Sequence, residues 1–95
     1  MDDGVKWALD MLVRTAAQDH GGAGRCARFL LSLWDGGQYK VDLQDMMYID
    51  AEPFSAMLMV YQHLHDNNLQ LDALLSQEDM NPILQMWGNL HGAKS

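Results

Sequence analysis

Basic side chains, cysteine and long apolar runs are all scarce in this chain. Six Lys and Arg stand against thirteen Asp and Glu in 95 residues, a formal charge of −7. That balance argues against direct nucleic-acid binding, which needs cations that neutralise phosphates and release their counterions. A single cysteine excludes an internal disulfide framework. No apolar run approaches the roughly eighteen residues a membrane span requires, so no membrane partner is expected. The opening residues, MDDGVKWALD, do not read as a basic-then-apolar secretion signal, and the expected compartment is the cytoplasm. What is present is ordinary for a folded domain: 48% apolar and 20% charged residues, in a length that suits one core. The expectation is one helical domain over residues 1–88 and a mobile tail over 89–95.

Glycine and asparagine divide the chain into helices. From Val5 to about Asp19, Val5, Ala8, Leu9, Leu12, Val13 and Ala16 recur at three-and-four spacing, one helical face. Lys6, Asp10 and Arg14 alternate in sign along the other face. Asp2 and Asp3 suit the start, and Gly21-Gly22 the stop. A second helix is predicted from about Ala23 to Trp34, with Cys26, Phe29, Leu30 and Leu33 as its apolar face and Arg25, Arg28, Ser32 and Asp35 as its polar one. The short link predicts a helical hairpin. Asp42 can cap a brief helix through Met46 or Met47, and Asp50 can cap the next, with Pro53 in its first turn. From Ala51 to about Asp66 one stripe reads Phe54, Leu58, Tyr61, His65 and a second Ala56, Met59, Val60, His63. A helix apolar over so much of its girth is expected to be the central, most buried one. Asn67-Asn68 ends it. Ser76 to Asp79 is a capping-box pattern opening a last helix with Ile83, Leu84 and Trp87; if Asp79 is the cap, Pro82 falls in its first turn, and Gly88 is the stop. The fold class predicted is all-α, a compact single-domain bundle of four to five short helices.

Charge divides unevenly. Residues 1–40 carry five acids and five bases, whereas residues 41–93 carry eight acids and no Lys or Arg. Chemistry-bearing patterns are weak by comparison. Gly21-Gly22-Ala23-Gly24-Arg25 ahead of a helix could cradle a phosphate. It lacks the Lys-Ser/Thr ending of a P-loop and follows a helix rather than a strand, so it reads as a turn. His63 and His65 are two apart on a helix and project about 200° from each other, which prevents joint chelation. With Cys26 the one sulfur ligand, no metal or cofactor is expected. Cys26 with His20 is the best nucleophile–base pair on offer, but Cys26 shares a face with Phe29 and Leu30, where a cysteine acts as a small core hydrophobe. The chain is expected to be non-catalytic. Eight methionines and three tryptophans admit two readings, gap-filling in an irregular core or an adaptable binding surface. Met46-Met47-Tyr48, where helical periodicity is weakest, is the foremost candidate for exposed apolar surface.

Several short motifs carry a resemblance over roughly residues 5–88. They are Ala8-Leu9 with Leu12; Asp19 before the glycines; Arg25, Ala27, Phe29-Leu30-Leu31 and Trp34-Asp35; Asp42-Leu43 through Asp45, then Ile49-Asp50; Met57 with Val60; and Trp87. The pattern resembles a bacterial family of short helical domains of unknown function, often found on plasmids, integrated elements and prophage-like regions. Met46-Met47-Tyr48 and the His/Asn stretch at 63–68 depart from it. The resemblance implies a compact helical fold and an accessory role on a mobile element, and supplies no activity, cofactor or site.

These readings converge on a small acidic protein–protein interaction or regulatory domain, binding a protein partner or a second copy of itself. The candidate partner-binding residues are Asp42, Asp45, Met46, Met47, Tyr48, Asp50 and Glu52. The alternative is an anti-CRISPR-like inhibitor in which Asp42, Asp45, Asp50 and Glu52 imitate nucleic-acid phosphates on a basic host protein.

Overall fold

Val5, Ala8, Leu9, Leu12 and Ala16 are all buried on one side of the first helix, and the rest of the bundle is arranged around that stripe. The computed structural model describes residues 3–18 and 21–88. The expectations that fell on Asp2, Asp19, His20 and the tail over 89–95 lie outside the described residues. The chain order is α1 (Asp3–Ala16), α2 (Gly21–Trp34), α3 (Leu43–Met46), α4 (Ala51–Asn67), a 3-10 turn (Leu71–Ala73) and α5 (Gln77–Trp87). The fold is all-α, with no strand among the described residues. None of the helices among them is long and apolar enough to cross a membrane.

α2 and α4 each pack chiefly on α1, while α5 makes smaller contacts with α1 and α2. On α2 the buried positions are Ala23, Cys26, Ala27, Leu30 and Leu31, a three-and-four series displaced by about one position from the predicted face. Phe29 and Leu33 are only partly buried. On α4 the inward residues are Ala56, Met57, Val60 and Leu64. α4 is therefore not the most buried helix: Phe54, Leu58 and Tyr61 stay 41%, 53% and 58% exposed. α1 takes the central place instead, since both α2 and α4 pack on it, and α2 is the helix with no exposed residue over 23–34. Leu71, Met80 and Ile83 are fully buried and complete the core from the C-terminal side.

The helix ends follow local chemistry. α1 carries its Asp10–Arg14 pair at 2.8 Å on solvent, a contact of small energetic weight there. The glycines at 21, 22 and 24 lie inside the first turn of α2 rather than between helices, so α1 stops at Ala16 without them. Asp42 Oδ1 accepts the Gln44 N–H at 2.9 Å and caps α3. Asp50 is the N-cap residue of α4 but makes no side-chain cap bond. At the other end of α4, Asn68 adopts φ 53 and ψ 47, and the Leu69 N–H reaches the Leu64 carbonyl at 2.9 Å. This is a Schellman closure, using the left-handed conformation that asparagine tolerates. Ser76 and Asp79 form a reciprocal capping box on α5, with bonds of 2.9 and 3.1 Å. The Ser76 N–H and hydroxyl, both donating to Asp79 Oδ2 at 2.9 and 3.0 Å, hold the Asp79 carboxyl below its ordinary value. With Ser76 as the cap, Pro82 falls in the second turn, where it forgoes one helical bond.

Trp87 ties the two ends of the chain together. Its indole Nε1–H donates to the Ala16 carbonyl at 2.7 Å, satisfying one of the last carbonyls of α1, which lack partners within the helix. Its ring lies against α2 at Gly24, where a Cβ would stand 3.4 Å from the indole. Next to it, Tyr39 Oη donates to the Gly88 carbonyl at 3.1 Å. Replacing Trp87 with Phe keeps most of the apolar contact but removes the donor, and is expected to cost about 1–2 kcal/mol. Trp87→Ala also removes the ring and is expected to cost about 3 kcal/mol. Urea unfolding midpoints measure both; a Trp87→Phe midpoint equal to that of the parent protein would remove the bond from this account.

Candidate functional site

Because α2 and α4 both lean on α1 and meet each other only sparsely, a trough remains between them. One cavity of about 540 Å³ is walled by Phe29 and Leu33 of α2, by Tyr39, Lys40 and Val41 of the following segment, and by Phe54, Leu58 and Tyr61 of α4. Its surface is mostly apolar, and its size lies in the range of small binding clefts. A second, more polar hollow of about 370 Å³ continues it toward the end of α4. The two share Ser32, Leu33 and Tyr61, and the second adds His65, Asn68 and Gln70. The helical periods explain the walls. Phe54, Leu58 and Tyr61 recur at four and three residues, as do Phe29 and Leu33 across one turn, so each helix turns a second apolar stripe away from α1.

Two hydroxyls along the apolar part are engaged with the backbone. Ser32 Oγ donates to the Phe29 carbonyl at 2.9 Å, and Tyr39 Oη donates to Gly88 as above. The surrounding segment is strongly acidic. From 35 to 66 it holds Asp35, Asp42, Asp45, Asp50, Glu52 and Asp66, with Lys40 as its single Lys or Arg. Asp35, Asp42, Asp50, Glu52 and Asp66 are exposed.

The predicted partner-binding residues divide between core and surface. Met46 is 9% exposed and joins the core cluster, which corrects its assignment to the surface. α3 has a single turn, so successive residues diverge by about 100° and Met46 alone of the three enters the bundle. Met47 and Tyr48 are 79% and 66% exposed. The Arg25 guanidinium lies 5.8 Å from the Tyr48 ring centroid, a cation–π distance. Asp42, Asp50 and Glu52 are exposed, and Asp45 lies in α3 with its side chain outside the described part. Sequence reasoning missed Phe54, Leu58 and Tyr61 as groove residues. The signal was there: two apolar stripes on one helix exceed what a single facing helix can cover.

The Cys26–His20 pairing is half outside the described residues, since His20 is not among them. Cys26 itself is 1% exposed, and burial pushes its thiol up to about 11. His65 is exposed beside Asp66, Nδ1 to Oδ1 3.4 Å, and His63 is half-buried. Among the described residues no three His, Cys, Asp or Glu gather to hold a metal ion.

An all-helical bundle with an apolar cleft is thus the class that the fold and the site define. Residues 6–88 match a family described as "Family of unknown function (DUF7673)". The match takes in nearly the whole bundle, and the chain belongs to that family. Neither a curated protein nor a solved structure matches it.

The buried, protonated thiol makes a direct prediction. At pH 8 only about one Cys26 in a thousand is thiolate, so a maleimide or disulfide reagent should label the native protein far more slowly than the denatured one. Equal rates with and without denaturant would contradict the burial of Cys26.

Proposed function

We propose that this chain is a non-catalytic interaction domain and that the groove between α2 and α4 is the surface it offers a protein partner. The observation that carries this reading is the exposure of Phe54, Leu58 and Tyr61, between 41% and 58% each, along one wall of an apolar trough. A monomeric protein rarely leaves large apolar side chains aligned on successive turns in water unless something covers them. The alignment matters more than the exposure, since single apolar residues on surfaces are common.

A catalytic use of the same groove has little support. Ser32 and Tyr39, hydroxyls among its wall residues, donate to backbone carbonyls, and the one thiol is in the core. The phosphate-imitation alternative relies on Asp42, Asp45, Asp50 and Glu52 acting as a charged array. In the reading preferred here the acids form the rim of an apolar site, and Asp42 already caps α3.

Leu58→Asp puts a charge in the middle of the wall at a half-exposed position, where surface substitutions usually change stability by about 0.5 kcal/mol or less. As bait beside the parent protein in a cell extract, with circular dichroism showing equal helicity, this variant is expected to lose at least tenfold of the partner that the parent recovers. An equivalent change far from the groove, Lys6→Asp, should leave recovery intact. A partner recovered equally by the Leu58→Asp variant would place the interaction elsewhere and end this reading.

A further inference from the structure

We infer that the occupant of the groove is an amphipathic α-helix of another protein, with apolar residues on one face and Lys or Arg flanking them. The inference rests on the groove being a binding surface and adds what fits there. Three observations lead to it.

The first is backbone chemistry. Two of the walls are helices, whose N–H and C=O groups bond within each helix except at the ends, and the third is the irregular segment 36–41. No strand exists among the described residues to offer a free edge, so an extended peptide lying along the two helices would bury most of its backbone groups without partners. Unpaired buried amides are costly, and a helix carries its hydrogen bonds with it. The second is length. The combined apolar and polar hollows follow α4 from Phe54 to Asn68, a span of about 21 Å at 1.5 Å per residue. That matches roughly four helical turns, enough for anchors at i, i+3, i+4 and i+7 to meet Leu33, Leu58 and Tyr61.

The third is charge. No Asp or Glu is among the described residues lining either hollow, and Lys40 is in the apolar wall. Exposed Asp35, Asp42 and Asp66 are nevertheless chain neighbours of wall residues, and residues 35–66 hold six acids to one Lys. A docked helix therefore meets a net negative field. Basic flanks gain from that field, and acidic flanks are repelled. The same field disfavours a second copy of this chain. It would bring Glu52 and Asp66 on its own α4 against the same rim, at −7 per copy.

The test uses three synthetic peptides of about eighteen residues with one shared apolar face. One carries Lys on the flanks, one carries Glu at those positions, and one has the Lys flanks with two central prolines that forbid a helix. Each is titrated into the isotope-labelled full chain and into its Leu58→Asp variant, with amide shifts as the readout. The Lys peptide is expected to shift groove residues and to bind at least tenfold more tightly than either of the others. Its advantage over the Glu peptide should shrink as salt rises. Equal binding by the Glu or the proline peptide overturns the helix chemistry. If those peptides still shift groove residues and lose affinity in the Leu58→Asp variant, the groove reading survives that result. Shifts away from the groove, unaffected by Leu58→Asp, would overturn both. Absence of binding by all three peptides overturns the inference alone, because the capture experiment reads the groove independently. Sedimentation showing a dimer that Leu58→Asp dissolves would make a second copy the occupant and also overturn it.

Discussion

One narrow apolar stripe on α1 governs the architecture. Val5, Ala8, Leu9, Leu12 and Ala16 present a band only one or two side chains wide, and both α2 and α4 use it as their main packing surface. Both helices sit on that ridge, and they meet each other only sparsely. The space left between them becomes the groove. α5 and the 3-10 turn seal other parts of the core with Leu71, Met80 and Ile83. Trp87 holds that closure in place by reaching from the end of α5 to the last turn of α1.

Composition and shape act together at the groove. The protein places three exposed aliphatic and aromatic side chains, Phe54, Leu58 and Tyr61, within a segment, 35–66, that holds six acids and one Lys. In the proposed role, apolar contact would supply affinity without direction, and the net negative charge of the segment would steer the approach of a basic partner. Net charge also limits self-association of a surface that would otherwise be adhesive. Cys26 contributes nothing to this chemistry. It is a small apolar filler under α2, kept protonated by burial.

Much of the secondary structure was legible because local signals sufficed. The α1 stripe, the Ser76–Asp79 box, the Asp42 cap and the Asn68 stop each depend on residues within a few positions of one another. The errors arise where a distant partner decides. The face of α2 was misjudged because Ala23, Ala27 and Leu31 are as apolar as Phe29 and Leu33, and only contact with α1 selects among them. α4 was expected at the centre because amphipathicity reports which residues avoid water, not whether enough partners exist to cover them. Glycines 21 and 22 looked like a break, yet they lie in the first turn of α2. Of the candidate surface, Met47, Tyr48, Asp42, Asp50 and Glu52 are exposed as anticipated, and Met46 is not. The groove itself requires three segments brought together by tertiary packing; the doubled stripe on α4 marks one wall, and no local pattern marks its partners. Trp87 was legible as a helix residue, but its bond to Ala16 spans 71 positions.

The central claim, an open apolar groove held between two helices that share α1, can be tested by solvent accessibility at side-chain resolution. A neutral paramagnetic chelate dissolved with the methyl- and aromatic-labelled protein broadens protons that water can reach. The Leu58 methyls and the rings of Phe54 and Tyr61 should broaden strongly, while Leu12 on the shared stripe and Leu30 on the buried face of α2 stay sharp. Leu58, Phe54 and Tyr61 as well protected as Leu12 would mean that α2 and α4 close on each other, and the account would fail.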